Sequence, residues 1–176
     1  MNFTGLKKKT AFQFYEKQLK KLKKKERNTP TKVEHIGVLA DSRLFGSYDI
    51  SRNLSQKFNM PHKKFEIIIF ENFKDEFVTQ HYNTFSEKDF GMYGKIKAQN
   101  VVGFIDTPFD LLINYCNHDS VFATIVAMQS NAKFKVGFAD DKLHDLYDFM
   151  IAIEGNKIDV FNDELAKYLQ ILELIE

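Results

Sequence analysis

The sequence predicts a three-layer, Rossmann-like α/β domain with a mostly parallel sheet, an antiparallel last edge strand and a basic amino-terminal helix. Three observations carry that expectation. Short apolar runs rich in Val, Ile and Phe alternate with segments whose apolar residues recur at helical spacing, the pattern of strands buried on both faces by covering helices. The link before the last apolar run is too short for an ordinary crossover. The charge is divided end to end: residues 1–27 hold ten of the 25 Lys and Arg but two of the 24 acids, so this stretch carries +8 and the rest −7 within a net +1.

The elements follow in order. Phe12, Tyr15, Leu19 and Leu22 recur at three and four residues among lysines, which predicts a basic amphipathic helix. Asn28-Thr29-Pro30-Thr31 is a polar turn with a helix-breaking proline, so residues 1–27 read as an arm and residues 32–176 as the domain. His35-Ile36-Gly37-Val38-Leu39-Ala40 predicts a first strand; Ile50, Leu54 and Phe58 a helix; Phe65-Glu66-Ile67-Ile68-Ile69-Phe70 a second strand.

Residues 72–97 lack periodicity and include Asp89-Phe90-Gly91-Met92-Tyr93-Gly94. A loop of this length in a compact domain is either functional or a β-extension covering the sheet. Val101, Val102, Phe104 and Ile105 suggest a short helix, residues 109–116 a strand, Val121, Phe122, Ile125, Val126 and Met128 a helix capped by Asp119, and residues 134–138 another strand. Only residues 140–145 separate that strand from the apolar run 147–153, too few for a right-handed crossover, so an antiparallel edge strand is expected. Leu165, Tyr168, Leu169, Leu172 and Ile175 mark a closing helix, opened by Asn162 with Asp163 and Glu164 in its first turn.

His35-Ile36-Gly37-Val38-Leu39, Phe85-Ser86-Glu87-Lys88-Asp89-Phe90-Gly91 with Gly94, Phe109-Asp110-Leu111-Leu112-Ile113-Asn114-Tyr115 and Ala132-Lys133-Phe134-Lys135-Val136-Gly137 resemble a family of small uncharacterised proteins of Bacteroidota. The resemblance spans nearly the whole chain. It implies a cytoplasmic Rossmann-like fold and no particular activity. A fainter likeness is to the amino-terminal domain of heptosyltransferase-type glycosyltransferases, in the Asp-Leu-Leu-Ile strand, the following helix and the Ala-Lys-x-x-x-Gly strand; the second, nucleotide-sugar-binding domain of those enzymes has no counterpart here.

Candidate chemistry is sparse. In open α/β sheets ligands sit beyond the carboxyl ends of the strands, a rim that would carry Asp41, Ser42, Arg43, Glu71, Asn72, Asn117, His118, Asp119, Asp140 and Asp141. Carboxylates there can hold Mg²⁺, but Asp and Asn occupy such turns for their own hydrogen bonds, and no metal is assigned. His118 beside Asp119 is the acid–base candidate, with Asp41 and Asp140 beside it on the rim. The other histidines lack metal-ligand spacing. Gly37 opens no phosphate-cradling loop, and no cofactor is expected. Cys116, the only cysteine, reads as a core residue and points to a reducing, cytoplasmic setting. Lysines interrupt every candidate stretch for a secretory signal, and no run has transmembrane length.

The arm gives the leading functional expectation. Lys7, Lys8 and Lys9 lie roughly 20 Å from the Lys20, Lys21, Lys23, Lys24, Lys25 and Arg27 end of the helix, with Lys17 between, a separation suited to phosphates on structured or ribosomal RNA. That reading is of a non-enzymatic binding protein. The alternatives are a small enzyme or ligand-binding domain on the strand rim, a membrane-surface helix, a homodimer, and an arm whose apolar face packs on its own domain while its lysines stay solvated.

Overall fold

The computed structural model describes residues 3–22, 29–42, 49–71, 83–116, 120–153 and 157–176. Six strands, β1 (Ile36–Asp41), β2 (Phe65–Glu71), β3 (Thr84–Ser86), β4 (Leu111–Asn114), β5 (Phe134–Phe138) and β6 (Phe149–Ile151), form one sheet in the order β3-β2-β1-β4-β5-β6. Every neighbouring pair is parallel. The register sets Ile36 opposite Phe65 on one side and Leu111 on the other.

Because side chains alternate across a strand, the runs feed two separate cores. Leu39, Ile68, Phe70, Leu112 and Cys116 face α1 (Phe3–Leu22), α3 (Gln99–Asp106) and α4 (Val121–Gln129), while Val38, Ala40, Ile69, Leu111, Ile113 and Tyr115 face α2 (Ile50–Lys57) and α5 (Ile158–Ile171). This is the expected three-layer arrangement. Gly37 lies inside β1 for a packing reason: a Cβ there would stand 2.7 Å from the Phe109 ring, closer than carbon atoms approach.

Three expectations change. The last edge strand is parallel, not antiparallel, with Val136 opposite Phe149. Its link is longer than the apolar run suggested, because Tyr147 and Asp148 belong to the crossover. That segment is a chain of tight turns, with Leu143 and Leu146 inserted into the core and their backbones bonded Leu143 N–H to Asp140 O and Leu146 N–H to Leu143 O. Compact turns therefore carry the chain back without a full crossover helix. Second, the aperiodic segment supplies the edge strand β3, paired with β2 through Thr84 opposite Ile69; three residues are too few to show a period.

Third, α5 begins at Ile158, so Asn162 is not its cap. Asn162 is fully buried inside the helix, where it accepts from the Tyr115 hydroxyl and donates to Asn53 Oδ1 at 2.8 Å, and Asn53 donates to Asp159 Oδ1 at 2.7 Å. This chain satisfies the buried amide of Asn162 and the buried Tyr115 hydroxyl just after β4, and carries their bonds out to the exposed Asp159. Lys135 is likewise buried on β5, next to the edge strand, and its ammonium donates to the carbonyls of Ala127 and Met128 at 2.8 and 3.4 Å, the carboxyl end of α4, where a cation is favoured.

Candidate functional site

The helix expected to be an arm is packed on the domain. Ala11 and Tyr15 are buried in the same core as α3 and α4, with Phe14, Leu19 and Leu22 half-buried against it. Phe12, which the spacing placed on the apolar face, is 47% exposed, so the contact stripe is rotated toward Ala11 and Phe14. The seat for α1 is the turn Met92–Gly94. Thr10 Oγ1 donates to Lys7 O at 3.0 Å and accepts from Tyr93 N–H at 3.2 Å. Tyr93 and Gly94 both have positive φ, 58° and 67°, and a Cβ on Gly94 would meet Phe14 and Ile125 at 3.0 and 3.1 Å. Glycine at this position allows both the left-handed backbone and the close approach of α1. The Gly91-Met92-Tyr93-Gly94 stretch thus serves the helix, a role with no local signature.

Docking brings basic residues onto the rim. Lys7 Nζ donates to Glu87 O at 2.7 Å and Lys8 Nζ lies 3.4 Å from the Glu87 carboxylate. Glu87 Oε1 is enclosed and has no donor among the described residues. Between α1, the end of β2, the 3₁₀ turn Glu87–Asp89 and the start of α4 lies a cavity of about 370 Å³, lined by Lys8, Lys9, Phe12, Phe70, Glu87, Ser120, Val121 and Phe122. It sits at the carboxyl end of the sheet beside the β1/β4 boundary, where strand order reverses, the position at which open α/β sheets take ligands. Its size falls within the range of small-molecule sites.

The rim carboxylates do not converge there as a metal cage. Asp41, at the end of β1, is buried and accepts a long 3.4 Å bond from the Ser120 hydroxyl. Asp140 stands at the β5 side, where its carboxylate accepts from Lys142 N–H at 2.9 Å. Among the described residues no group of three or more His, Cys, Asp or Glu is placed to hold a metal. His118 and Asp119 lie outside the described residues, as do Arg43, Asn72 and Asn117, and Lys23, Lys24, Lys25 and Arg27 of the basic end. The remaining lysines of α1, Lys17, Lys20 and Lys21, are exposed.

A second polar group lies beneath α1. Asn114 Nδ2 donates to the Tyr147 hydroxyl at 2.7 Å, and Asn114 Oδ1 accepts from Cys116 N–H at 2.9 Å, all three residues being buried. Burial is the main force raising the Tyr147 hydroxyl pKa well above its usual range, with the Cys116 thiol and Asp140 adding to it and the Asn114 bond opposing it. Tyr15 is raised too, by burial first and then by the Asp140 and Glu16 carboxylates. Both phenols are therefore neutral groups of a packed interior, and Cys116 is a core residue as expected.

A family of unknown function (DUF6913) matches residues 7–172, and the chain belongs to it. The matched stretch takes in most of α1 together with the sheet. No curated protein and no solved structure matches the chain. No helix among the described residues is long and apolar enough to cross a membrane.

Proposed function

We propose that this protein is a small-ligand-binding domain whose site is the rim cavity between α1 and the amino end of α4. The observation that carries the reading is the cavity itself: space of ligand size at the carboxyl rim of the sheet, beside its switch point, roofed by a helix that is built into the domain. Binding is assigned because the ionisable groups that line the cavity among the described residues, Lys8, Lys9 and Glu87, are a set suited to holding charge. A cytoplasmic location accords with the single buried thiol.

The test is a thermal-shift screen of a small-molecule panel against the wild-type chain and Val121→Trp, which places an indole in the cavity. Compounds that raise Tm in the wild type and not in the variant support the reading. A panel that never distinguishes the two proteins refutes it.

Engagement of structured RNA is a second reading, favoured by one observation: Lys17, Lys20 and Lys21 point to solvent and form no ion pair among the described residues. Binding to total RNA that weakens with salt, and less steeply when the three are changed to Gln, would support it. Equal binding by the two proteins would count against it.

A further inference from the structure

We infer that the rim cavity takes a small organic molecule with one anionic group on a flat apolar body, such as an aryl phosphate or carboxylate; the inference rests on the ligand-binding reading above. Two features of the lining specify the ligand. The first is the aromatic wall: Phe12 from α1, Phe70 from the end of β2 and Phe122 from α4 face one space, and Phe12 is left 47% exposed on a helix whose neighbours Ala11 and Tyr15 are buried. A planar apolar group covering Phe12 removes that surface from water, the usual source of affinity in such sites.

The second is the charge. Lys9 lines the cavity, is exposed and has no acidic partner among the described residues, whereas Lys8 shares its charge with Glu87. An acceptor supplied by a ligand would therefore meet Lys9 in a charge-assisted contact. Glu87, the carboxylate among the lining residues, opposes this field and limits the site to a single anionic group, since a chain of phosphates would run into it. This separates the expected ligand from nucleoside polyphosphates, in keeping with a β1 that is followed by no glycine-rich loop.

The experiment is calorimetric titration of the full chain with 2-naphthyl phosphate, neutral 2-naphthol and inorganic phosphate, repeated on Lys9→Gln, Val121→Trp and Phe12→Ala. Circular dichroism confirms that each variant is folded. The aryl phosphate is expected to bind about fivefold or more tightly than the naphthol, and Lys9→Gln to erase that margin, the effect of one partly exposed charge-assisted contact. Phe12→Ala should weaken both aryl compounds. Val121→Trp should block both, and Phe12→Ala stands in for it if the indole prevents folding. Equal affinity for naphthol and naphthyl phosphate, unchanged in Lys9→Gln, overturns the anion inference and leaves the cavity reading intact. Inorganic phosphate binding as well as the aryl phosphate also overturns it, because the aromatic wall then contributes nothing. Aryl binding indifferent to Val121→Trp and Phe12→Ala, or absent from the wild type, overturns the inference, and the thermal-shift screen then decides the cavity reading separately.

Discussion

Replacing Tyr15 by Ala tests whether α1 is a docked part of the domain, on which the rim cavity depends. Tyr15 is 6% exposed and belongs to the core that includes Leu143, Leu146 and Tyr147. Removing an aromatic ring from such a site costs about 3 kcal/mol, at the low end for large-to-small core changes because a surface helix relaxes toward the gap. The remaining anchors of α1 are Ala11, which is small, and the half-buried Phe14, Leu19 and Leu22. Docking of the helix is therefore comparable in size to the loss, and the variant opens α1 locally before it unfolds the sheet. A loss of about 3 kcal/mol is roughly a hundredfold rise in the open population. Hydrogen–deuterium exchange read by mass spectrometry resolves the two regions. Peptides from α1 should exchange about a hundredfold faster in Tyr15→Ala, at the same order as the population change, while those from β4 change far less. Two results would refute the reasoning. If α1 in the wild type already exchanges like an unstructured peptide, the helix is a free arm; if α1 and β4 accelerate by the same factor, the helix is inseparable from the global fold.

Two further predictions concern stability. Asp110 accepts from the backbone N–H groups of Glu34 and His35 at 3.1 Å and from Lys133 Nζ at 2.8 Å; burial is the largest single effect and raises its pKa, but these bonds and the Lys133 charge outweigh it, so the net pKa is lowered. A lowered folded-state pKa gives stability that is present above the unfolded value of about 3.9 and disappears as pH falls through the folded value. Asp110→Asn should flatten the urea-midpoint profile across that acid window and lower the midpoint at pH 7; a parallel profile would count against the assignment. At Gly137 an added Cβ would stand 2.4 Å from Tyr147 Cζ, so Gly137→Ala must displace the ring and its bond to Asn114. Overpacking and the disturbed buried bond together cost about 2 to 5 kcal/mol, measurable by urea unfolding, and a loss under 1 kcal/mol would show that the ring moves freely.

How much was legible follows from what each residue had to encode. The runs at β1, β2 and β5 and the periodicity of α3, α4 and α5 are local signals, and the strands and helices lie where the apolar pattern put them. Where a residue had both a local and a distant use, the local reading failed. Asn162 has the composition of a helix cap, but its partners Tyr115 and Asn53 lie 47 and 109 residues away. Phe12 fits the apolar period of α1, yet it faces a cavity because the neighbouring turn accommodates Phe14 instead.

The sequence by itself determined the three-layer class, the parallel core strands and the basic character of the first helix, since these depend on periodicity and net charge, which are properties of short windows. Tertiary structure decided the direction of β6, the existence of β3 and the docking of α1 over the rim. Each depends on contacts between distant segments: the inserted Leu143 and Leu146 that turn the chain back, the pairing of Thr84 with Ile69, and the Tyr93–Gly94 turn that receives Thr10 and Phe14. The charge split was visible from the start, but its placement was not, because lysines on a helix are equally consistent with a free arm and a docked one until the opposite face is seen to be buried.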